Sequence, residues 1–378
     1  MADGKQKKFY KLNMGTLPDE LYFDEIPVEK WLAYAESKDG GFPPNSLNTL
    51  APLDPMVEIE RVIGISLYMI GNVLPFVVPP LVIGSFFAPL ARYALGALLF
   101  YVGTLMAIEK FYFEPYFLKK YHRTSSMSSN IKDNQYLFTE RNTCKYVNTT
   151  IVWPDSFQHL RDKPVIFCMV PHGVAPFGAT AYPMWSKVWS SKLCHWTCAP
   201  VILTLPFIGY FMNKIGYIPA KSQNIIDTLT KKEESVGVFL DGIAGMFQGS
   251  QERAYLKQRK GIVKIALRAG VPIIPVYGFG HTALYTVVVD PFGILEYLSN
   301  HLQASLTPFF GRWGWFLGPP RRLPITLCLG EPIDCPATAD PSNDDINKYH
   351  AQMIAGFQQV FDQHKEAYGW GHKKLTIV

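Results

Sequence analysis

Charge is what this chain has least of. Aspartate, glutamate, lysine and arginine make up 18% of its 378 residues, against about a quarter in ordinary soluble domains. Aromatic residues reach 14%. Such a chain has more apolar surface than a water-soluble fold needs, which points to a membrane. The formal net charge of +5 is scattered rather than clustered. Nucleic-acid binding needs a gathered basic face, so nucleic acid is set aside as a partner. A modest basic excess does suit anionic lipid surfaces and the phosphates of a nucleotide-bearing substrate.

Other absences remove whole chemistries. There is no Gly-x-Ser-x-Gly elbow, so a serine hydrolase would lack its nucleophile. Neither a phosphate loop ending in Gly-Lys-Ser/Thr nor a dinucleotide fingerprint occurs. Cysteine is sparse. Cys168 and Cys328 lie inside apolar runs and read as small core residues. Cys194 and Cys198 flank His195 at a spacing that only loosely resembles a metal site, and no second cluster completes four ligands, so no metal is expected. No disulfide framework is called for, and a reducing compartment is the default. The amino terminus carries Lys5, Lys7 and Lys8 without an apolar h-region, so no cleavable signal peptide is expected.

What is present begins with long apolar runs. Residues 62–87 are uncharged and strongly apolar, and a second stretch covers 93–108, with Arg92 between them. The first exceeds the roughly 20 residues needed to cross a bilayer. Basic flanks at Arg61 on one side and Lys110, Lys119, Lys120 and Arg123 on the other place both ends in the cytosol. The expected organisation is an N-terminal cytosolic segment, 1–58, a hydrophobic membrane hairpin, 59–110, and an α/β domain, 111–378. That domain reads as alternating strands and helices. Buried strands are expected at 165–170, 236–240, 271–277 and 325–329. A helix is expected over 261–269 with Gly270 as its C-cap, and a long C-terminal helix capped by Ser342 and Asp345 and closed by Gly369.

The organising stretch is 164–178. Its apolar run ends at Pro171, and His172 follows on the loop with Gly173 behind it. Ligands in open α/β sheets collect at the C-terminal edge of the strands, which suits an imidazole for proton transfer. Read alone, Pro-His-Gly is equally a turn cap. Asp241-Gly242 ends another buried strand, where a carboxylate could hold a hydroxyl or orient an imidazole, though Asp-Gly is also an ordinary turn. Arg259-Lys260-Gly261 precedes a helix, where anions are favoured.

These stretches come in one order: Val-Pro-His-Gly with Gly178, Gly216 to Ala220, Asp-Gly-Ile-Ala-Gly, Arg-Lys-Gly-Ile-Val-Lys-Ile-Ala-Leu-Arg-Ala-Gly, Pro-Val-Tyr-Gly-Phe-Gly, Gly330-Glu331-Pro332-Ile333 and the start of the last helix. Over about residues 60–378 the chain resembles the type-2 diacylglycerol O-acyltransferase family, whose members esterify mono- and diacylglycerols or long-chain alcohols with acyl-CoA. The resemblance implies an α/β fold with a glycerolipid-acyltransferase-like mixed sheet flanked by helices, behind an N-terminal membrane hairpin. It implies residence in the endoplasmic reticulum membrane with both termini cytosolic, and admits lipid droplets and homo-oligomers. Acyl-CoA and diacylglycerol, or a related lipid alcohol, would be substrates and membrane lipid a partner; no cofactor is implied.

The family's His-Pro-His-Gly maps onto Val170 to Gly173, so its second histidine is His172 and its first is Val170 here. His172, Gly173 and Asp241 are the expected catalytic set, and Pro171, Gly178, Gly242, Arg259, Lys260 and Gly261 the expected substrate-binding set. His172 would act as general base, a role typically worth about 10²–10⁴-fold. The broader glycerolipid acyltransferases carry Asp at the position of Phe177, so another group must set the imidazole's tautomer. Many relatives carry Glu at the position of Gly245, and Glu or Gln at that of His281. The alternatives are a monoacylglycerol or wax-alcohol acyltransferase, and a catalytically silent droplet protein that binds neutral lipid.

Overall fold

A computed structural model of the chain describes residues 7–18, 33–50, 80–108, 142–177, 194–204, 216–247, 251–288, 290–302 and 307–378, together with isolated positions between them. The strands are β1 (Lys8–Asn13), β2 (Glu36–Asp39), β3 (Thr150–Pro154), β4 (Ile166–Val170), β5 (Cys194–Cys198), β6 (Ile218–Pro219), β7 (Ser235–Phe239), β8 (Arg253–Ala254), β9 (Ile273–Phe279), β10 (Thr286–Val287), β11 (Phe309–Phe310), β12 (Thr326–Leu329) and β13 (Thr376–Ile377). The helices are α1 (Pro89–Ile108), α2 (Pro200–Thr204), α3 (Ser222–Thr230), α4 (Lys260–Ala269), α5 (Ile294–Leu302) and α6 (Asn343–Tyr368).

Nine strands form one mixed sheet in the order β2-β1-β3-β12-β9-β4-β7-β5-β6. Its centre is parallel: β4 runs parallel to both β7 and β9, and β5 to β7. Antiparallel β12 joins β9 to the outer strands. Residues 8–13 and 36–39, within the segment 1–58, extend this sheet through β3.

Because side chains alternate across a strand, β4 feeds two cores. Phe167 and Met169 enter one, and Ile166, Cys168 and Val170 the other. β9 divides in the same way, with Ile274 and Val276 against Ile273, Tyr277 and Phe279. All five β4 residues are buried, which explains why the strand reads as an unbroken apolar run. Helices α3, α4 and α6 cover the second core through Ile225, Val263 and Phe357.

The helix ends follow local rules. Gly270 closes α4 with φ 64°, and Gly369 closes α6 with φ 85°. Both angles lie where a Cβ is penalised. Ser342 accepts from the Asp345 N–H while the Asp345 carboxylate accepts from the Ser342 N–H, a reciprocal cap worth about 1 kcal/mol. The expected strands and both helices are found within one or two residues of their expected bounds.

Much of the stretch 62–79 lies outside the described residues. The second apolar stretch lies within the 20-residue α1. Among the described residues no helix is long and apolar enough to cross a membrane. Phe86, Phe87, Leu90, Tyr93 and Phe100 are nonetheless exposed. Asn148, which opens a glycosylation sequon, is buried and donates from Nδ2 to the Thr49 carbonyl at 2.6 Å. Its burial keeps it from a glycan in the folded state, whichever side of a membrane it faces.

Candidate active site

The register Met169↔Phe239 places the C-terminal ends of β4 and β7 level. The loops that follow therefore meet, and the His172 N–H donates to Asp241 Oδ2 at 2.9 Å. Asp241 thus holds the main chain at residue 172. It does not orient the ring, the role that the sequence had allowed for it.

The ring is oriented by its own loop. His172 Nδ1 lies 2.7 Å from the Gly173 carbonyl oxygen. A carbonyl only accepts, so Nδ1 carries the proton and Nε2 carries the lone pair. Phe239 meets the imidazole edge-on at 4.8 Å, and Trp196 stacks on Phe239 at 4.7 Å. Burial holds the imidazole pKa below its ordinary value, against the opposing pull of the Gly173 carbonyl. The ring is therefore neutral at pH 7. Phe177, where the broader superfamily places its aspartate, is fully buried and stacked on Tyr285.

Gly173 has φ 63°, and a Cβ there would sit 3.2 Å from the His281 carbonyl oxygen. Glycine lets the two loops close. Among the described residues the Gly173 and Val174 N–H groups make no hydrogen bond, and both residues line a small cleft. Gly245, Met246, His281, Thr282, Tyr285 and Val287 are among its other walls. The cleft is thus built from the C-terminal ends of the adjacent strands β4, β7 and β9, the edge where an open sheet collects ligands.

Asp241 is wholly buried, and burial pushes its carboxyl up to about 7 despite the His172 N–H and the Arg259 charge. Its Oδ1 has no hydrogen-bond partner among the described residues. A Cβ at Gly245 would overlap the Asp241 carboxylate, so one position must be small if the other carries an inward carboxylate.

Of the basic pair, Arg259 turns toward this loop, its Nη2 3.5 Å from the Asp241 carbonyl oxygen. Lys260 instead donates to Asn347 Oδ1 at 2.8 Å. Gly242 has φ 53° and faces the Arg259 guanidinium, Pro171 is buried, and Gly261 lies in the first turn of α4. Gly178 lies outside the described residues.

Two features beyond the expected set border the cleft. His281 is buried, with Nδ1 3.1 Å from the Gly278 carbonyl oxygen, and burial lowers its pKa to about 4. Glu252, also buried, accepts from Tyr277 Oη at 2.7 Å and Thr282 Oγ1 at 2.8 Å, and pairs with Lys373 Nζ at 2.7 Å. That cluster ties the last strand, β13, to the wall of the cleft. A glutamate in a polar loop, more than a hundred residues from its lysine, gives no local signal.

The family model for diacylglycerol acyltransferase matches residues 98–378, and the chain belongs to that acyltransferase family. It is 29% identical to Diacylglycerol O-acyltransferase 2-like protein 6 of Bos taurus, over 55% of this chain and 68% of that protein. It is 32% identical to Acyl-CoA wax alcohol acyltransferase 2 of Homo sapiens, over 55% of this chain and 68% of that protein. With Diacylglycerol O-acyltransferase 2 of Xenopus tropicalis it shares 28% identity over 58% of this chain and 66% of that protein. The matched region thus spans about two-thirds of the length of these relatives. No solved structure matches the chain.

Proposed function

We propose that this protein transfers an acyl group from acyl-CoA to the free hydroxyl of diacylglycerol, forming triacylglycerol, with His172 as general base. One observation carries the proposal: with Nδ1 committed to the Gly173 carbonyl, Nε2 is the basic nitrogen of a neutral imidazole, and the two residues that follow His172, Gly173 and Val174, line the cleft. Membership of the acyltransferase family supports it.

The chemistry needs little more. A lipid hydroxyl is too weak an acid to ionise near pH 7, so its proton must leave as the C–O bond forms. The hydroxyl oxygen attacks the thioester carbonyl carbon while Nε2 accepts the proton. Charge develops on the former carbonyl oxygen, for which the Gly173 and Val174 N–H groups are the proposed donors. Collapse breaks the C–S bond, and the leaving thiolate takes the proton back from Nε2. No covalent enzyme intermediate forms. Asp241 keeps the 172–173 backbone in place, and Arg259 is the better placed of the two basic residues for the coenzyme's phosphates. Val62 and Ile65 pack into the core; the rest of the apolar stretch to 87, with 93–108, is proposed as the hairpin that holds the site at the endoplasmic reticulum membrane, beside its water-insoluble acceptor and product.

The similarity to a wax alcohol acyltransferase favours a second reading, in which the acceptor is a long-chain alcohol. Membranes containing the full chain, given labelled oleoyl-CoA with diacylglycerol, monoacylglycerol and hexadecanol side by side, decide between them. Preferential labelling of triacylglycerol is expected. A wax ester as the main product favours the second reading, and no thioester-dependent product in any arm rejects both.

A further inference from the structure

Between the cleft and the last strand of the sheet the chain makes an excursion, residues 286–318, that contains β10, α5, β11 and an aromatic turn. Its 33 residues hold only three Asp, Glu, Lys or Arg side chains: Asp290, Glu296 and Arg312. Phe292 is 85% exposed, Tyr297 67%, Trp313 59%, Trp315 60% and Phe316 59%. Single exposed apolar residues need no explanation, but a run of large aromatics on one excursion does.

Two of the three charges are already engaged. Asp290 accepts from the Ile294 and Glu296 N–H groups at the start of α5. Arg312 is ion-paired with Glu58 and lies over the Trp313 ring at 4.3 Å. This ion pair also locates the patch. Glu58 lies four residues before the apolar stretch that opens at Val62, and Val62 and Ile65 pack into the same core as Phe309 and Leu317. The aromatic turn that carries Trp313, Trp315 and Phe316 therefore lies beside residues 58–65, where the apolar stretch begins. On the other side, Val287 lines the cleft and pairs with Phe309, and Phe310 beside it packs on Phe316, so β10 and β11 link the cleft wall to the aromatic turn.

We infer that the excursion 286–318 is a second membrane contact, in which Phe292, Tyr297, Trp313, Trp315 and Phe316 insert into the interface of the bilayer that receives the hairpin. Tryptophan and tyrosine favour that boundary because one end of each ring is apolar and the other polar. With so little net charge, the contact recognises the interfacial zone of zwitterionic lipid rather than anionic headgroups. It sets the cleft mouth against the bilayer surface, where an apolar acceptor enters without crossing water. The inference rests on the proposed hairpin for the position of the membrane.

The test uses the full chain reconstituted in phosphatidylcholine vesicles, with or without bromine on the lipid acyl chains. Bromine quenches tryptophan emission only on contact. The emission of the parent minus that of the Trp313→Phe/Trp315→Phe variant isolates these two rings. We expect brominated lipid to remove more than half of this difference, and bromine near the headgroups to quench more than bromine near the chain ends. Introducing Phe292→Trp into the double variant should restore quenchable emission, which guards against a misfolded variant. A difference signal equally bright in both lipids overturns the inference. So does a signal shielded from lipid in a protein whose mass falls on substitution, which assigns the patch to a second copy of the chain. Acyl transfer measured in the same vesicles reports separately on the proposed activity.

Discussion

Replacing Asp241 with asparagine isolates the least comfortable group in the site. The parent carboxyl is fully buried and titrates at about 7, against 3.8 for a free aspartate. Below pH 3.8 the group is protonated in both folded and unfolded chains and costs nothing. As the pH rises from there the unfolded chain ionises first, so stability is lost progressively up to about pH 7 and remains lost above it. At about 1.4 kcal/mol per pH unit the penalty approaches about 4 kcal/mol. Asparagine carries no charge at any pH, and its carbonyl oxygen can still accept from the His172 N–H. The variant should match the parent near pH 4 and exceed it at pH 8. With an unfolding entropy of about 2.1 cal/mol/K per residue, the gain corresponds to roughly 5 °C in melting temperature. Melting curves of both proteins, in one detergent from pH 4 to 8, provide the assay. A constant difference between the two across that range would refute the reasoning, as would a variant that is less stable than the parent at pH 8.

Three further outcomes follow from the same geometry. Gly245→Ala introduces a Cβ that collides with the Asp241 carboxylate; it should destabilise by about 1–3 kcal/mol, read by chemical denaturation, and lower acyl transfer by displacing the 172 loop. Lys373→Met leaves the buried Glu252 carboxylate without its cation and should cost about 3 kcal/mol, while Glu252→Gln made with it should recover part of the loss in the same measurement. Because burial lowers the His172 pKa, the acidic limb of kcat/KM should fall below pH 6.5, and a limb above that value in a pH–rate profile would contradict the stated environment.

The parts of this protein written in local sequence were legible. The central strands could be read because burial on both faces demands continuous apolar residues, as in Ile166–Val170. The ends of α4 and α6 could be read because Gly270, Gly369 and the Ser342–Asp345 pair act within one turn. His172 could be singled out because a strand stops at Pro171. What the imidazole leans on could not. Its partner is a backbone carbonyl one residue away, and carbonyls have no letter in a sequence. The role of Asp241 was only half visible: its proximity followed from the turn, but its bond to a main-chain N–H depends on the register of β4 against β7. Lys260 was read with Arg259 as a pair, yet adjacent residues at the start of a helix point apart, and only Arg259 reaches the loop. Glu252 and Lys373 meet across 121 positions, a distance no local pattern spans.

The account rests on Nε2 of His172 taking a proton from a lipid hydroxyl. Acyl transfer from labelled oleoyl-CoA to diacylglycerol, compared between the parent and His172→Ala at equal amounts of membrane-associated protein, tests this most directly. Loss of at least about 10²-fold in triacylglycerol output is expected from removal of a general base. Near-normal output from the variant would contradict it.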